Sequence, residues 1–411
     1  MAIIVQKFGG TSVADAEKIQ RAARRAKKRA DQGYQVVMVT SARGKMTDHL
    51  IADALELNPD PCRREMDQLL STGEQQTVAL MAMALHSMGQ PAISMTGFQA
   101  GIRTDAVPAK ARITNIEREK IQAQLDDGKI VVVAGFQGID EYENITTLGR
   151  GGSDTSAVAL AAALEAEQCE IYTDVDGVYT TDPRKFKRAL KIDQISYDEM
   201  LEMASLGAGV MHGRAIEFGK KYGVTIHVRS SSKEIEGTLI THEVPKMEGI
   251  LVSGATIQKD LAKITIIEIE NHPGIAARIF ANLAKARVSV NDIIQTEISE
   301  DIANLSFTVG KSDLADAMKC IKKIKSDVNY KDMFVREDIA EVSIVGIGMR
   351  THYGVADKMF NALAQKQVNI DSITTSEIRI SCIIDKDQGD MALETLCTVF
   401  ELDKEPEDRE M

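Results

Sequence analysis

Lys7-Phe8-Gly9-Gly10-Thr11-Ser12, directly after the apolar run Ile3-Ile4-Val5, decides how this chain is read. A strand that opens into paired glycines and then into a helix brings backbone N–H groups to an anion with no Cβ in the way. The helix that follows adds the positive end of its dipole, and Lys7 adds a mobile point charge. An ordinary strand–turn–helix corner with a surface lysine would carry the same residues, so the motif needs company before it means phosphate.

Working outward, residues 1–245 alternate strand and helix. Strands are expected at 3–6, 36–40, 130–134, 170–173 and 224–228. These are β-branched runs with little polar alternation, as in strands buried on both faces of a parallel sheet. Helices are expected at 15–31, 63–88, 117–126, 155–165 and 215–222, with Ser71-Thr72-Gly73-Glu74-Gln75 interrupting the second. This order predicts an α/β fold, a doubly wound sheet with ligand loops at the carboxyl ends of its strands. The basic run Arg21–Arg29 reads as a solvated helix face.

With 411 residues the chain is too long for one ordinary core, so two or three domains are expected. Its net charge of -12 argues against nucleic acid or an anionic membrane as partner. Five widely spaced cysteines without a C-x-x-C suit a reducing cytoplasm and argue against a zinc site or a disulfide framework. No charged-then-apolar leader and no apolar run of about 18 residues is seen, so a cytoplasmic location is expected.

After Pro245-Lys246-Met247-Glu248-Gly249 the pattern changes, and residues 271–298 align without gaps to 351–378. His272/His352, Gly274/Gly354, Phe280/Phe360, Leu283/Leu363 and Ile293/Ile373 are among the identities. A duplicated small domain is the expectation. The first copy, 262–337, reads β-α-β-β-α-β, a ferredoxin-like order. The second, 338–403, lacks the final strand. An orphan strand at 250–257 is expected to complete it, so that 249–261 joins 338–403 and the first copy is inserted in the second. Residues 404–411 are polar and read as a flexible tail.

The common nucleotide signatures fail. Gly44-Lys45 lacks the Ser/Thr and the earlier glycine of a Walker loop, and Gly346-Ile347-Gly348 lacks the third glycine of a dinucleotide fingerprint. The glycine of Asp174-Val175-Asp176-Gly177 comes too early for a calcium loop. What remains is a set of polar loops: Thr40–Asp48, Gly149-Arg150-Gly151-Gly152-Ser153-Asp154-Thr155 before an Ala-rich helix, and Thr173–Arg184. Two glycine anion loops, one lysine and several acids suit phosphoryl transfer, which needs positioning and charge neutralisation more than covalent chemistry. Each loop alone is equally well a turn rich in Gly and Asp.

Taken together, Lys7–Ser12, Ser71–Glu74, Gly149–Thr155 and Tyr172–Arg184 resemble the aspartate kinases of the amino-acid-kinase superfamily. The repeat resembles the tandem ACT domains of such enzymes, so the resemblance covers essentially the whole chain. It implies a three-layer αβα kinase domain with a mainly parallel sheet, followed by two ferredoxin-like ACT domains. It implies transfer of the ATP γ-phosphoryl group to the side-chain carboxylate of L-aspartate, with Mg²⁺ but no direct protein ligand to it. The product would be 4-phospho-L-aspartate, for lysine, threonine and methionine synthesis. Another amino-acid kinase of the same fold and a catalytically inactive amino-acid sensor are the competing readings.

By the same resemblance, Lys7 neutralises the transferring phosphoryl group, with Phe8, Gly9 and Gly10 around it, and Asp154 holds Lys7 or a Mg²⁺ water. Arg150 takes the substrate α-carboxylate and Glu74 its ammonium, with Ser41, Thr47, Gly151, Gly152 and Ser153 nearby. Thr173, Asp174, Tyr179, Asp182 and Arg184 resemble nucleotide-binding positions, and Lys233 is a candidate phosphate contact. Asn271, Gly274, Ile275, Ala276, Asn291, Asp292, Gln295, Asn369 and Ile370 resemble effector contacts, for lysine and threonine. Pairing of such domains between chains implies a homo-oligomer, or an α2β2 assembly if Met247 serves as an internal start. The chain departs from the family at Arg43, Gly209, Gly213 and Pro108-Ala109.

Overall fold

The computed structural model describes residues 1–207, 209–242, 244, 251–350, 352–405 and 408–409. Met247 and the boundary expected at 245–249 lie outside them. Contacts divide the chain into two units.

The first unit begins with β1 (Ile3–Phe8), α1 (Ala16–Asp31), β2 (Gln35–Thr40), α2 (Met46–Leu57), α3 (Arg63–Ser87) and β3 (Ala92–Met95). It continues through β4 (Ile102–Thr104), β5 (Ile113–Ile116), α4 (Glu119–Asp126), β6 (Ile130–Ala134), β7 (Gln137–Ile139), β8 (Ile145–Thr147) and α5 (Gly152–Ala163). It ends with β9 (Gln168–Thr173), β10 (Val178–Tyr179), β11 (Lys191–Ile192), β12 (Gln194–Ser196), α6 (Tyr197–Ser205), α7 (Gly213–Tyr222), β13 (Ile226–Ser230) and β14 (Thr238–Thr241). Eight strands form one sheet in the order β12-β14-β13-β9-β1-β2-β6-β3, parallel except where β13 meets β14. The sheet buries every residue of β1 and β6, which is why β6 reads as an unbroken apolar run and β1 opens on one, Ile3-Ile4-Val5. Asp15 caps α1, whose buried Ile19, Ala22, Ala23 and Ala26 recur at helical spacing and pack with Met81 and Leu85 of α3.

Three expectations are corrected. First, α3 runs unbroken through Ser71–Gln75. Gly73 is there for close packing, since a Cβ on it would lie 2.8 Å from Ala42 Cβ. Second, β1 extends through Lys7 and Phe8, because these residues pair with β2 and β9 on both sides. Third, the basic run is not wholly solvated. Arg25 donates to the Lys233 carbonyl at 2.6 Å, and Arg29 turns inward to Glu170.

Glu170 is fully buried on β9 and also accepts from Gln6 Nε2 at 2.7 Å, Arg229 Nη1 at 2.9 Å and the Tyr172 hydroxyl at 3.1 Å. Burial pushes its carboxyl up, but the bonds from Arg29 and Gln6 and both guanidinium charges leave it below its ordinary 4.5.

The second unit takes in Thr180–Leu190, Leu206, Gly207 and the chain from 251 onward. Its elements are β15 (Gly254–Gln258), β16 (Leu261–Glu270), α8 (Ile275–Lys285), β17 (Val290–Ser299), β18 (Ile302–Gly310), α9 (Leu314–Lys323) and α10 (Lys325–Val328). Then come β19 (Asp332–Arg336), β20 (Ile339–Val345), α11 (Val355–Gln365), β21 (Ser372–Thr375), β22 (Arg379–Asp385) and α12 (Gly389–Val399). Two antiparallel sheets result, β17-β18-β16-β19 and β15-β20-β22-β21, each over its own apolar core. β15 pairs antiparallel with β20, so a strand that precedes the first copy sits in the sheet of the second. Phe186 is buried in that second core, Thr180 Oγ1 donates to the Leu402 carbonyl at 2.8 Å, and Ala255 N donates to Thr180 O at 2.8 Å. Past Asp403 the chain is not wholly loose, since Arg409 donates to the Val252 carbonyl at 2.7 Å.

Glu170→Ala would leave two half-buried guanidinium groups without their carboxylate, and a midpoint shift in urea equivalent to about 3 kcal/mol is expected. Because the native carboxyl lies below 4.5, this stabilisation is present above pH 4.5 and fades below it. A midpoint unchanged at pH 7 would show that the cluster contributes nothing net.

Candidate active site

The site starts from the carboxyl end of β1. Lys7 Nζ lies 2.6 Å from Asp154 Oδ1 in the first turn of α5, and both side chains are almost covered. After Phe8 the chain turns: Gly9 N donates to the Tyr172 carbonyl at 3.4 Å, and Ser12 N to Gly9 O at 2.9 Å. Gly10 lies against the loop that leaves β2. Gly44 N donates to Gly10 O at 3.0 Å, and a Cβ on Gly10 would come within 2.6 Å of the Ala42 carbonyl. Gly151 caps α5 in the left-handed conformation, φ 68, Gly152 N donates to Gly149 O at 2.9 Å, and the first turn of α5 meets Lys7 through Asp154. A cation, glycine amides and a helix N-terminus thus converge on one place, which suits a multiply charged anion.

Glu74, on α3, supplies the opposite charge. Its Oε1 accepts from Ala42 N at 2.9 Å, while Oε2 is buried and has no partner among the described residues. Burial pushes this carboxyl up to about 7, against the pull of the Ala42 amide. Ser12 Oγ and Thr40 Oγ1 are likewise buried without partners among the described residues. Unmet polar atoms at the ends of β1 and β2 mark a place built to receive a polar ligand. Ser41 donates its N–H to Phe8 O at 3.2 Å, and Thr47 lies in the first turn of α2. Gly152 and Ser153 form the buried first turn of α5, and Arg150 stands exposed just before it.

The nucleotide candidates divide. Thr173 and Asp174 follow β9, beside β1, with Thr173 Oγ1 donating to Asp174 at 3.1 Å. Tyr179 pairs with Lys191 in a two-stranded ribbon. Lys233 is held by Asp176 at 2.6 Å, so its charge is already matched. Asp182 and Arg184 bond each other at 2.9 Å within the stretch that belongs to the second unit, so the structure does not group them with the residues above.

Four neighbours escaped sequence reading. His212 packs on Gly151 so closely that a Cβ there would lie 2.3 Å from its ring. Phe136 takes φ 68 and lies against Gly152. Asp67 and Arg214 bind the backbone leading to Arg150. Apart from the turn stretch that holds His212, no local pattern marks them. Arg43 points its guanidinium at the Ala14 carbonyl, 3.2 Å away, so it closes the glycine loop from outside.

In the second unit, Asn271, Gly274, Ile275, Ala276 and Gln295 line a cavity of about 360 Å³ with His272 and Glu270. Gln295 Nε2 donates to Asn271 Oδ1 at 3.2 Å across it. Asn291 is exposed nearby on β17. Asp292 departs from the expected effector role: it accepts from Thr308 at 3.0 Å and Thr374 at 3.1 Å instead of facing the cavity. Asn369 and Ile370 lie in the other small domain, where Ile370 packs on the core.

Among the described residues no three His, Cys, Asp or Glu side chains gather as a metal cage, and no helix is long and apolar enough to cross a membrane. Asp154, beside Lys7, and Asp174, after β9, are carboxylates of the kind that a Mg²⁺ carried on phosphates meets through its waters.

Residues 2–230 match the amino acid kinase family, and residues 263–326 and 342–400 each match the ACT domain. The chain is 50% identical over 402 residues to the aspartokinase of Bacillus sp. (strain MGA3), covering 98% of each. It is 48% identical to aspartokinase 2 of Bacillus subtilis (strain 168) over 99% of each. Among solved structures it is similar to the aspartate kinase of Synechocystis, at 43% identity and TM-score 0.55, over 97% of this chain and 70% of that one. It shares the fold of E. coli aspartokinase III in complex with aspartate and ADP, at 24% identity and TM-score 0.83, over 97% and 100%.

Gly151→Ala combines a positive φ with a clash against His212 and should cost about 2 kcal/mol of stability. Gly213→Ala, where a Cβ meets only Leu201 at 3.5 Å, should be neutral or stabilising by about 0.5 kcal/mol. Thermal midpoints of the two variants check the contrast.

Proposed function

We infer the reaction from membership and geometry together: the chain belongs to the amino acid kinase family and is an aspartate kinase, which implies the use of ATP. The proposed reaction transfers the γ-phosphoryl group of ATP to the side-chain carboxylate of L-aspartate. One carboxylate oxygen forms the new bond to phosphorus as the bond to ADP breaks, giving 4-phospho-L-aspartate. No general base is required, because that carboxylate is already ionised at neutral pH.

The observation that carries this reading is the buried, unpartnered Oε2 of Glu74 in the same loop system as the Lys7–Asp154 pair. A substrate ammonium would satisfy the first, and a phosphoryl group the second. Lys7 neutralises charge that develops on the transferring group, the Gly10 amide and, on giving up its long 3.4 Å bond to the Tyr172 carbonyl, the Gly9 amide hold its oxygens, and Asp154 keeps Lys7 oriented. Arg150, exposed and with no partner among the described residues, takes the α-carboxylate with two parallel bonds. Thr173 and Asp174, with Tyr179, lie toward the nucleotide. A bound Mg²⁺ would neutralise the phosphate oxygens, with Asp154 and Asp174 placed to hold its waters.

The proposed domains are a kinase domain at 1–245, an ACT domain at 262–337, and a second made of 249–261 with 338–403, ending in a tail at 404–411. Lysine and threonine are the proposed effectors, in the cavity beside Asn271 and Gln295. The exposed edge strands β17 and β21, with Ile293 and Ile373 on them, suit pairing with a second chain, as a homo-oligomer or an α2β2 assembly. A cytoplasmic location suits its free cysteines, and the pathway served is lysine, threonine and methionine synthesis.

Acyl-hydroxamate formation with Mg-ATP and hydroxylamine tests the acceptor. Product should appear with L-aspartate and not with L-glutamate, and Lys7→Ala should abolish it without unfolding the protein. Lysine or threonine should lower the rate; a rate indifferent to both removes the effector assignment alone.

Glu74 sets a pH signature. Its carboxyl must be ionised to hold the ammonium, so kcat/KM for aspartate should rise with pH and level off above about 7. Glu74→Gln should remove this limb and lower kcat/KM about 100-fold by leaving the ammonium without its partner. A limb that persists in the variant would assign it to another group.

A further inference from the structure

α3 carries a second buried carboxylate that the scheme above does not use. Asp67 is fully buried and spends both oxygens on two stretches of chain. Oδ2 accepts from the Ala109 and Thr147 amides, each at 2.9 Å, while Oδ1 accepts from the Thr147 hydroxyl at 2.7 Å and the Ala109 amide at 3.1 Å. Arg214, near the start of α7, grips the same two stretches by their carbonyls. Its Nη1 donates to Leu148 O at 2.9 Å and its Nη2 to Ala111 O at 2.8 Å. The stretches are joined to each other by Ala111 N donating to Thr147 O at 3.0 Å.

This arrangement commits a buried, fully hydrogen-bonded carboxylate to holding two stretches of chain together. A buried charge is expensive unless fully hydrogen-bonded, and a surface loop needs no such anchor. Ala109 is held at φ 67, a strained conformation for alanine. Gly149 passes so near that a Cβ on it would lie 3.0 Å from the Ala109 carbonyl. The stretch held this firmly ends at Leu148, two residues before Arg150. Two backbone amides can only donate, so a group that accepts on both sides is what fits between them.

We propose that Asp67 and Arg214 are positioning residues that clamp the base of the Gly149–Gly152 arm, so that Arg150 meets the α-carboxylate of the amino-acid substrate. This rests on the reading of Arg150 given above. The clamp acts on the amino-acid end of the site, so its loss should weaken aspartate binding and spare ATP. A misplacement of about 1 Å is enough to cost up to about 100-fold.

The test is a mutant cycle in the full-length enzyme, with KM for aspartate, KM for Mg-ATP, kcat and the thermal midpoint measured for each variant. Asp67→Ala should raise KM for aspartate by about 10- to 100-fold and leave KM for ATP within about twofold. Asp67→Asn should recover most of the loss. Its oxygen can serve both amides while its NH₂ donates to the Thr147 hydroxyl, which reverses to accept. In an Arg150→Ala background, Asp67→Ala should add less than about twofold, because the arm then has nothing left to position. Equal rises in both KM values, full additivity with Arg150→Ala, or no rescue by Asn would each overturn the clamp. If Asp67→Ala does not fold, Arg214→Lys, which gives up one of the two carbonyl bonds, is read by the same criteria. An Arg150→Ala enzyme with unchanged KM for aspartate would instead overturn the reading of Arg150, and this proposal with it.

Discussion

Everything at the site depends on three parallel strands ending at one level. Phe8 of β1 stands opposite Thr40 of β2 on one side and Tyr172 of β9 on the other. Phe8 also stacks on Tyr172, with ring centres 4.7 Å apart and planes within 2°. Because the strands end together, the loops after them must share one space. A slip of one residue would turn Lys7 from the site toward the other face of the sheet. The Glu170 cluster guards against that slip, since it joins Gln6 of β1, Arg229 of β13 and Arg29 of α1 around one buried carboxylate.

On this platform the charges are separated by sign. In the proposed scheme Lys7, the glycine amides and the start of α5 make the anion end, whereas Glu74 makes the cation end. α3 serves as the spine of the second. Asp67, Ser71 and Glu74 recur at helical spacing on its buried face: the Asp67 carboxylate holds Ala109 with Thr147, the Ser71 carbonyl accepts from the Gln137 side chain of β7, and the Glu74 carboxylate holds Ala42. A helix that buries carboxylates in place of leucines sacrifices stability for placement, and Glu74, with an oxygen still unmatched, is where that sacrifice is largest.

The second unit is built from two copies of one design that are not equivalent. The cavity beside Asn271 belongs to the first copy. The second copy takes β15 from before the first and Phe186 from between two strands of the kinase sequence. Tyr179 and Thr180 are adjacent in the chain, yet they belong to different units.

The alternation of strand and helix, the mainly parallel sheet and the duplicated small domain were legible in the sequence. Each is a local matter: periodicity, β-branching and glycine spacing are set by neighbours along the chain. The continuity of α3 through Gly73, the inward turn of Arg29, the commitment of Asp292 to Thr308 and Thr374, and the removal of Asp182 and Arg184 to the second unit were not. Nor were Asp67, His212 and Arg214 visible as parts of the site. Their roles come from atoms that meet across 42 to 103 positions of chain, and only packing brings such atoms together.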